Sequence, residues 1–111
     1  MINITFNPSE YALEVTGHAG QDVKGHDIVC SAMSMLLYTL AQAITESERM
    51  LEESPTVKMK DGNGYIKCRP KKLYEGNIAR SYWTVLCGIE LLAAEYPQYI
   101  TFRVKENKVE G

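Results

Sequence analysis

A chain of 111 residues is long enough for one domain with a single core, so residues 1–111 are expected to form one unit. With 45% hydrophobic and 23% charged residues it has a globular balance, and a net charge of −2 argues against a general pull toward nucleic acid or an anionic membrane. Three cysteines, odd in number and widely spaced, argue against a disulfide framework and for a reducing compartment, so a cytoplasmic location is expected.

Met1 to Phe6 lacks the basic and apolar regions of a secretory signal. The longest apolar segment, around residue 35, is interrupted by serines and reads as too short to span a membrane. Ile2, Ile4 and Phe6 alternate with polar residues and predict a strand. Asn7-Pro8-Ser9-Glu10 is turn chemistry, and Leu13 and Val15 predict a second strand ending at Gly17. Residues 17–25 hold three glycines and read as a mobile loop.

Asp27 is placed as the N-cap of a helix beginning at Ile28. Val29, Ala32, Met33, Leu36, Leu37, Leu40, Ala41 and Ile44 form its apolar face. Its first turns are apolar almost all round, which predicts a helix largely buried in the domain. After Pro55, Val57 and Met59 alternate with lysines. Tyr65 to Arg69 supplies a matching strand across the turn Asp61-Gly62-Asn63-Gly64. A second helix follows Gly76 and Asn77, buries Ile78, Tyr82, Val85, Leu86, Ile89, Leu92 and Ala93, and closes at Pro97. Tyr99 to Val104 is a last strand, with a frayed tail after Lys105. The expected fold is α+β, in the order β-β-α-β-β-α-β: one mainly antiparallel sheet with both helices packed on one face. The basic cluster Lys67, Arg69, Lys71 and Lys72 reads as a solvated hairpin edge rather than an RNA contact.

The chemistry concentrates in Gly17-His18-Ala19-Gly20 and Gly25-His26-Asp27-Ile28-Val29-Cys30-Ser31. With Asp27 as cap, Cys30 is the third helical residue. There the helix dipole and the unpaired first-turn amides favour a thiolate, and those amides suit an oxyanion. A nucleophilic cysteine needs a base in reach, and the two histidines, His18 and His26, both precede Cys30. His18 stands where a strand end could meet a helix N-terminus. The geometry of His26 cannot be read from spacing. A lone helical cysteine is most often a small core residue, and Cys87 and Cys68 are both read that way. His18, His26 and Cys30 could alternatively hold zinc, although a fourth ligand and a C-x-x-C pair are missing. Asp27 is first a cap and secondly an orienter of a histidine. Ser34, one turn beyond Cys30, is either an auxiliary group or a small polar residue bonded back to the helix.

Gly17-His18-Ala19, a short glycine-containing loop, and Gly25-His26-Asp27-Ile28-Val29-Cys30-Ser31-Ala32 followed by Ser34 closely resemble the ribosomal-processing cysteine protease Prp family. The resemblance spans nearly the whole chain, and its specific part is positions 17 to 34. It implies a cysteine endopeptidase that removes the N-terminal extension of a large-subunit ribosomal protein precursor. It matches Cys30 to the nucleophile and His18 to the general base, with Asp27 and Ser34 as auxiliary positions. It also implies a homodimer and a moving substrate-gating loop, here Gly20, Gln21, Asp22, Val23, Lys24 and Gly25. No metal or organic cofactor is expected, nor direct contact with nucleic acid or membrane. Two other readings remain: a protease acting on a different precursor, such as a phage structural protein, and a non-enzymatic ribosome-associated binding module in which Cys30 is core.

Overall fold

The structure, a computed structural model, describes residues 1–17, 26–60 and 63–105, with the side chains of His26 and Asp27 excepted. The strands are β1 (Ile2–Asn7), β2 (Ala12–Thr16), β3 (Thr56–Lys60), β4 (Asn63–Lys67) and β5 (Ile100–Val104). The helices are α1 (His26–Glu46) and α2 (Glu75–Glu95), and single 3-10 turns lie at Glu48–Met50 and Lys72–Tyr74. The five strands form one sheet in the order β3-β4-β2-β1-β5. Every pairing is antiparallel except β1 with β5, which α2 makes parallel by returning the chain across the sheet.

Alternation decides which face of the sheet is covered. Ile2, Ile4, Phe6, Leu13, Val15, Ile66, Cys68 and Ile100 are buried, while Asn3, Glu14 and Thr101 between them are exposed. Val29, Met33, Leu37, Leu40, Ala41 and Ile44 of α1 complete the same core with Ile78, Tyr82, Val85, Leu86 and Ile89 of α2. Both helices therefore lie on one face, as the sequence predicts. The first turn is locked by Asn7, whose Oδ1 accepts from the Ser9 amide and whose Nδ2 donates to Glu10 Oε2, at 3.1 and 2.7 Å.

Four expectations are corrected. The helix α1 begins at His26, so Asp27 falls inside its first turn and is not the cap. The strand β4 begins at Asn63, paired with Lys60, so Asn63 and Gly64 belong to the strand and not to the turn. A side chain at Gly64 would crowd Leu37 Cδ1 at 3.1 Å and Met59 Sδ at 3.3 Å, which is why the strand carries glycine there. The helix α1 is not buried all round: Ile28, Met35 and Tyr38 stand exposed on its outer side. Nor is its apolar stretch too short, since by length and composition alone it could cross a membrane. Its inner face is committed to the core of the sheet.

Candidate active site

The three cysteines stand in three different environments. Cys68, just beyond β4, is buried, and the Tyr82 hydroxyl donates to its Sγ at 3.6 Å. Burial raises its pKa, with the Tyr82 hydrogen bond opposing in part, so it stays a neutral thiol. Cys87 lies in the middle of α2, far from either helix end, and its residue is exposed. Its expected place in the core is therefore wrong: the position falls one residue past the buried Leu86, a rotation of about 100° that carries the side chain outward. Cys30 is the fifth residue of α1, half-buried, and packed against the hydrophobic core. It is the thiol nearest a helix N-terminus, just beyond the first turn, where the helix dipole acts most strongly.

The earlier start of α1 changes which amides could serve an oxyanion. In a helix that starts at His26, the Cys30 amide bonds to the first helical carbonyl. The amides without an intrahelical acceptor are those of the turn before it. Ser34 lies one turn beyond Cys30 on the same side of the helix and is exposed to solvent. Asp27 is the second residue of α1.

The second strand ends at Thr16, and Gly17 follows it at φ +114°. His18, and the loop Gly20, Gln21, Asp22, Val23, Lys24 and Gly25, lie outside the described residues, as does the His26 side chain. The His18, His26 and Cys30 metal set is therefore not drawn from described side chains. Among the described residues no group of three His, Cys, Asp or Glu side chains could hold a metal ion.

The basic cluster is partly neutralised. Lys67 Nζ lies 3.1 Å from Glu10 Oε1, and Arg69 Nη1 lies 3.8 Å from Glu53 Oε1. That supports the solvated hairpin-edge reading.

Residues 1–101 match the family model of cysteine protease Prp. The chain belongs to the Prp cysteine protease family. Its activity class is accordingly peptide-bond hydrolysis by a thiol, and the non-enzymatic module does not stand. A ribosomal processing cysteine protease Prp of Staphylococcus aureus is 26% identical over 106 residues, covering 94% of this chain and 97% of that protein. The crystal structure of the essential Staphylococcus aureus Prp with a covalently linked product peptide shares the fold, with a TM-score of 0.73, 23% identity, and coverage of 95% of this chain and all of that one. A Streptococcus mutans protein is also similar, with a TM-score of 0.69, 26% identity, and coverage of 96% and 93% of the two chains. The five-stranded sheet with two helices is thus the Prp fold.

What the sequence reading missed is the outer face of the two helices. Met35 of α1 is 67% exposed and Leu91 of α2 is 74% exposed. With them Ala32, Leu36, Gly88, Leu92 and Glu95 line a groove of about 450 Å³. The apolar residues of α1 outside its predicted inner face, Ile28, Met35 and Tyr38, carry the signal.

Proposed function

We propose that this chain is a processing endopeptidase that removes the N-terminal extension of a large-subunit ribosomal protein precursor, with Cys30 as nucleophile and His18 as general base. The observation that carries the reading is the environment of Cys30. Of the three thiols, it alone combines a helix N-terminus with partial exposure, in a chain that matches a protease family across residues 1–101. The name of the Staphylococcus aureus relative supports ribosomal processing as the task.

In the proposed reaction the Cys30 thiolate attacks the scissile carbonyl carbon, and its proton is held by His18. The carbonyl π pair moves to oxygen, and first-turn amides of α1 stabilise that charge. Collapse of the tetrahedral adduct breaks the C–N bond, and His18 delivers the proton to the leaving amine. Water then hydrolyses the thioester, releasing the carboxylate and the thiol. Asp27 and Ser34 are auxiliary, and residues 20–25 gate the substrate. No cofactor enters the scheme.

The protein is proposed to act in the cytoplasm as a homodimer. The outer face of α1 and α2 supports the dimer: exposed Met35 and Leu91 line one largely apolar groove with Glu95 at its edge. Such a patch can pair with its own copy about a two-fold axis.

The test is mass spectrometry of the extended ribosomal protein precursor from the same genome after incubation with wild type, Cys30→Ala, His18→Ala and His26→Ala. A single trimmed product is expected with wild type and His26→Ala and with neither of the other two. Cleavage by folded Cys30→Ala would remove the nucleophile. An active His18→Ala beside an inactive His26→Ala would move the base.

A further inference from the structure

Both helices pack on one face of the sheet, and among the described residues no element covers the other. The strand pairing sets the side chains of that open face in rows. Lys58 faces Tyr65, Tyr65 faces Glu14, Glu14 faces Thr5 and Thr5 faces Arg103, so one row crosses all five strands. Lys58, Glu14 and Arg103 are exposed and Tyr65 is half-buried, whereas Leu13 and Ile66, one residue along their strands, belong to the core. At about 4.8 Å per strand, the Lys58 and Arg103 positions stand roughly 19 Å apart, with Tyr65 between them.

The charge of this face is one-sided. By strand alternation Lys58, Lys60, Lys67 and Arg103 point to it against a single acidic residue, Glu14, although the whole chain holds 12 basic and 14 acidic residues. Lys67 is held by Glu10 at 3.1 Å, and among the described residues no other ion pair falls on the face. The overall charge of −2 argues against a general pull toward nucleic acid, but it conceals this face because most of the acidic residues lie elsewhere. No aliphatic side chain larger than alanine points to the open side, so it lacks the apolar centre on which a protein–protein interface is built. It offers instead cations spread over a flat surface, the hydroxyls and amides of residues such as Thr5, Thr101 and Asn3, and one aromatic ring. Cations meet phosphates, an aromatic ring stacks on an unpaired base, and hydroxyl and amide groups meet the ribose 2′-OH.

We propose that the open face of the sheet is a contact surface for single-stranded RNA, with Lys58, Lys60 and Arg103 on phosphates and Tyr65 stacked on a base. The inference is independent of Cys30 and His18. Combined with the proposed substrate, it brings the protease to precursor that is already associated with RNA.

The experiment is fluorescence anisotropy of fluorescein-labelled oligoadenylate, titrated with the whole protein over a series of salt concentrations. Wild type is expected to bind with a Kd of roughly 1–100 µM at physiological salt. The logarithm of its association constant should fall against the logarithm of salt with a slope of about −2, as three phosphate contacts give on a single strand. Lys58→Glu combined with Arg103→Glu should weaken binding at least about tenfold and bring the slope below about −1 in magnitude, with the melting temperature held within about 4 °C. Tyr65→Ala should weaken binding at least about fivefold and Tyr65→Phe should keep it, because the ring stacks and the hydroxyl does not. Glu14→Gln should bind more tightly than wild type, a gain that a merely structural role would not produce. All these variants should still trim the precursor. A wild type that shows no binding even at low salt would overturn the inference, as would a folded Lys58→Glu, Arg103→Glu protein with unchanged affinity. Equal binding of oligodeoxyadenylate would overturn the assignment to RNA. Polyglutamate competing as well as unlabelled oligoadenylate would assign the face to an acidic protein instead.

Discussion

The proposed dimer face can be tested by one truncation on α2. Leu91 is 74% exposed, so about three quarters of its side-chain burial remains to be gained on association. Full burial of a leucine is worth about 1.5–3 kcal/mol, which leaves roughly 1–2 kcal/mol per copy. In an isologous contact each substitution occurs twice, so Leu91→Ala removes roughly 2–4 kcal/mol from the dimer. That is a weakening of roughly 30- to 900-fold in Kd. The monomer should hardly notice: alanine is a strong helix former, and surface substitutions usually stay within about 0.5 kcal/mol. Sedimentation equilibrium over a concentration series measures the dissociation constant, and denaturant unfolding at low concentration checks the monomer. A dissociation constant changed less than about threefold would refute the assignment of this face. So would a wild type that remains monomeric throughout the series.

Two further predictions concern the buried Cys68–Tyr82 pair and the groove. Burial raises the pKa of the Cys68 thiol and, much further, of the Tyr82 hydroxyl, beside which the Cys68 charge acts in the same direction. Both folded pKa values then lie above the unfolded ones. The native state keeps protons that the unfolded chain releases, so stability is full below about pH 8.5 and declines above it, by up to about 1.4 kcal/mol per pH unit per group. Urea titrations from pH 7 to 10 should show this decline, and Cys68→Ala should flatten it between about pH 8.5 and 10; parallel curves for the two proteins would refute the linkage. On α2, a β-carbon at Gly88 would lie 2.7 Å from Leu36 Cδ2, the end of a flexible side chain beside the open groove. Alanine gains about 1 kcal/mol of helix propensity there, against about 0.5–1.5 kcal/mol to turn Leu36 aside. Gly88→Ala should therefore melt within about 4 °C of wild type, and a fall beyond about 10 °C would mean that Leu36 cannot move.

The order of elements, the inner faces of both helices and the buried residues of β1 and β2 are legible in the sequence. Each is a matter of local period, two in a strand and 3.6 in a helix, and period survives whatever the element packs against. The family is legible because its resemblance is carried by residue identities along the chain, from Gly17 to Ser34, and needs no packing to be seen. Element edges are less so. Asn63 and Gly64 carry the composition of a turn, yet the pairing of Lys60 with Asn63 draws them into β4, because hydrogen bonds to a neighbouring strand outweigh a weak local preference. Asp27 is a good cap by type, but the helix takes in His26 before it.

Tertiary structure alone decided what the apolar surplus does. Met35 and Leu91 are as hydrophobic as the residues that reach the core, and α1 is apolar enough to be mistaken for a helix wrapped on all sides. The sheet is a single layer with helices on one face, so it covers only the side of each helix turned toward it. Likewise Cys87 and Cys68 are the same residue type, and only the angle of Cys87 on α2 and the Tyr82 hydroxyl over Cys68 separate an exposed thiol from a buried one. Sequence determined the family this chain belongs to, and with it the class of chemistry. Packing determined which of those groups meet solvent, because exposure belongs to what lies opposite a residue and not to the residue itself.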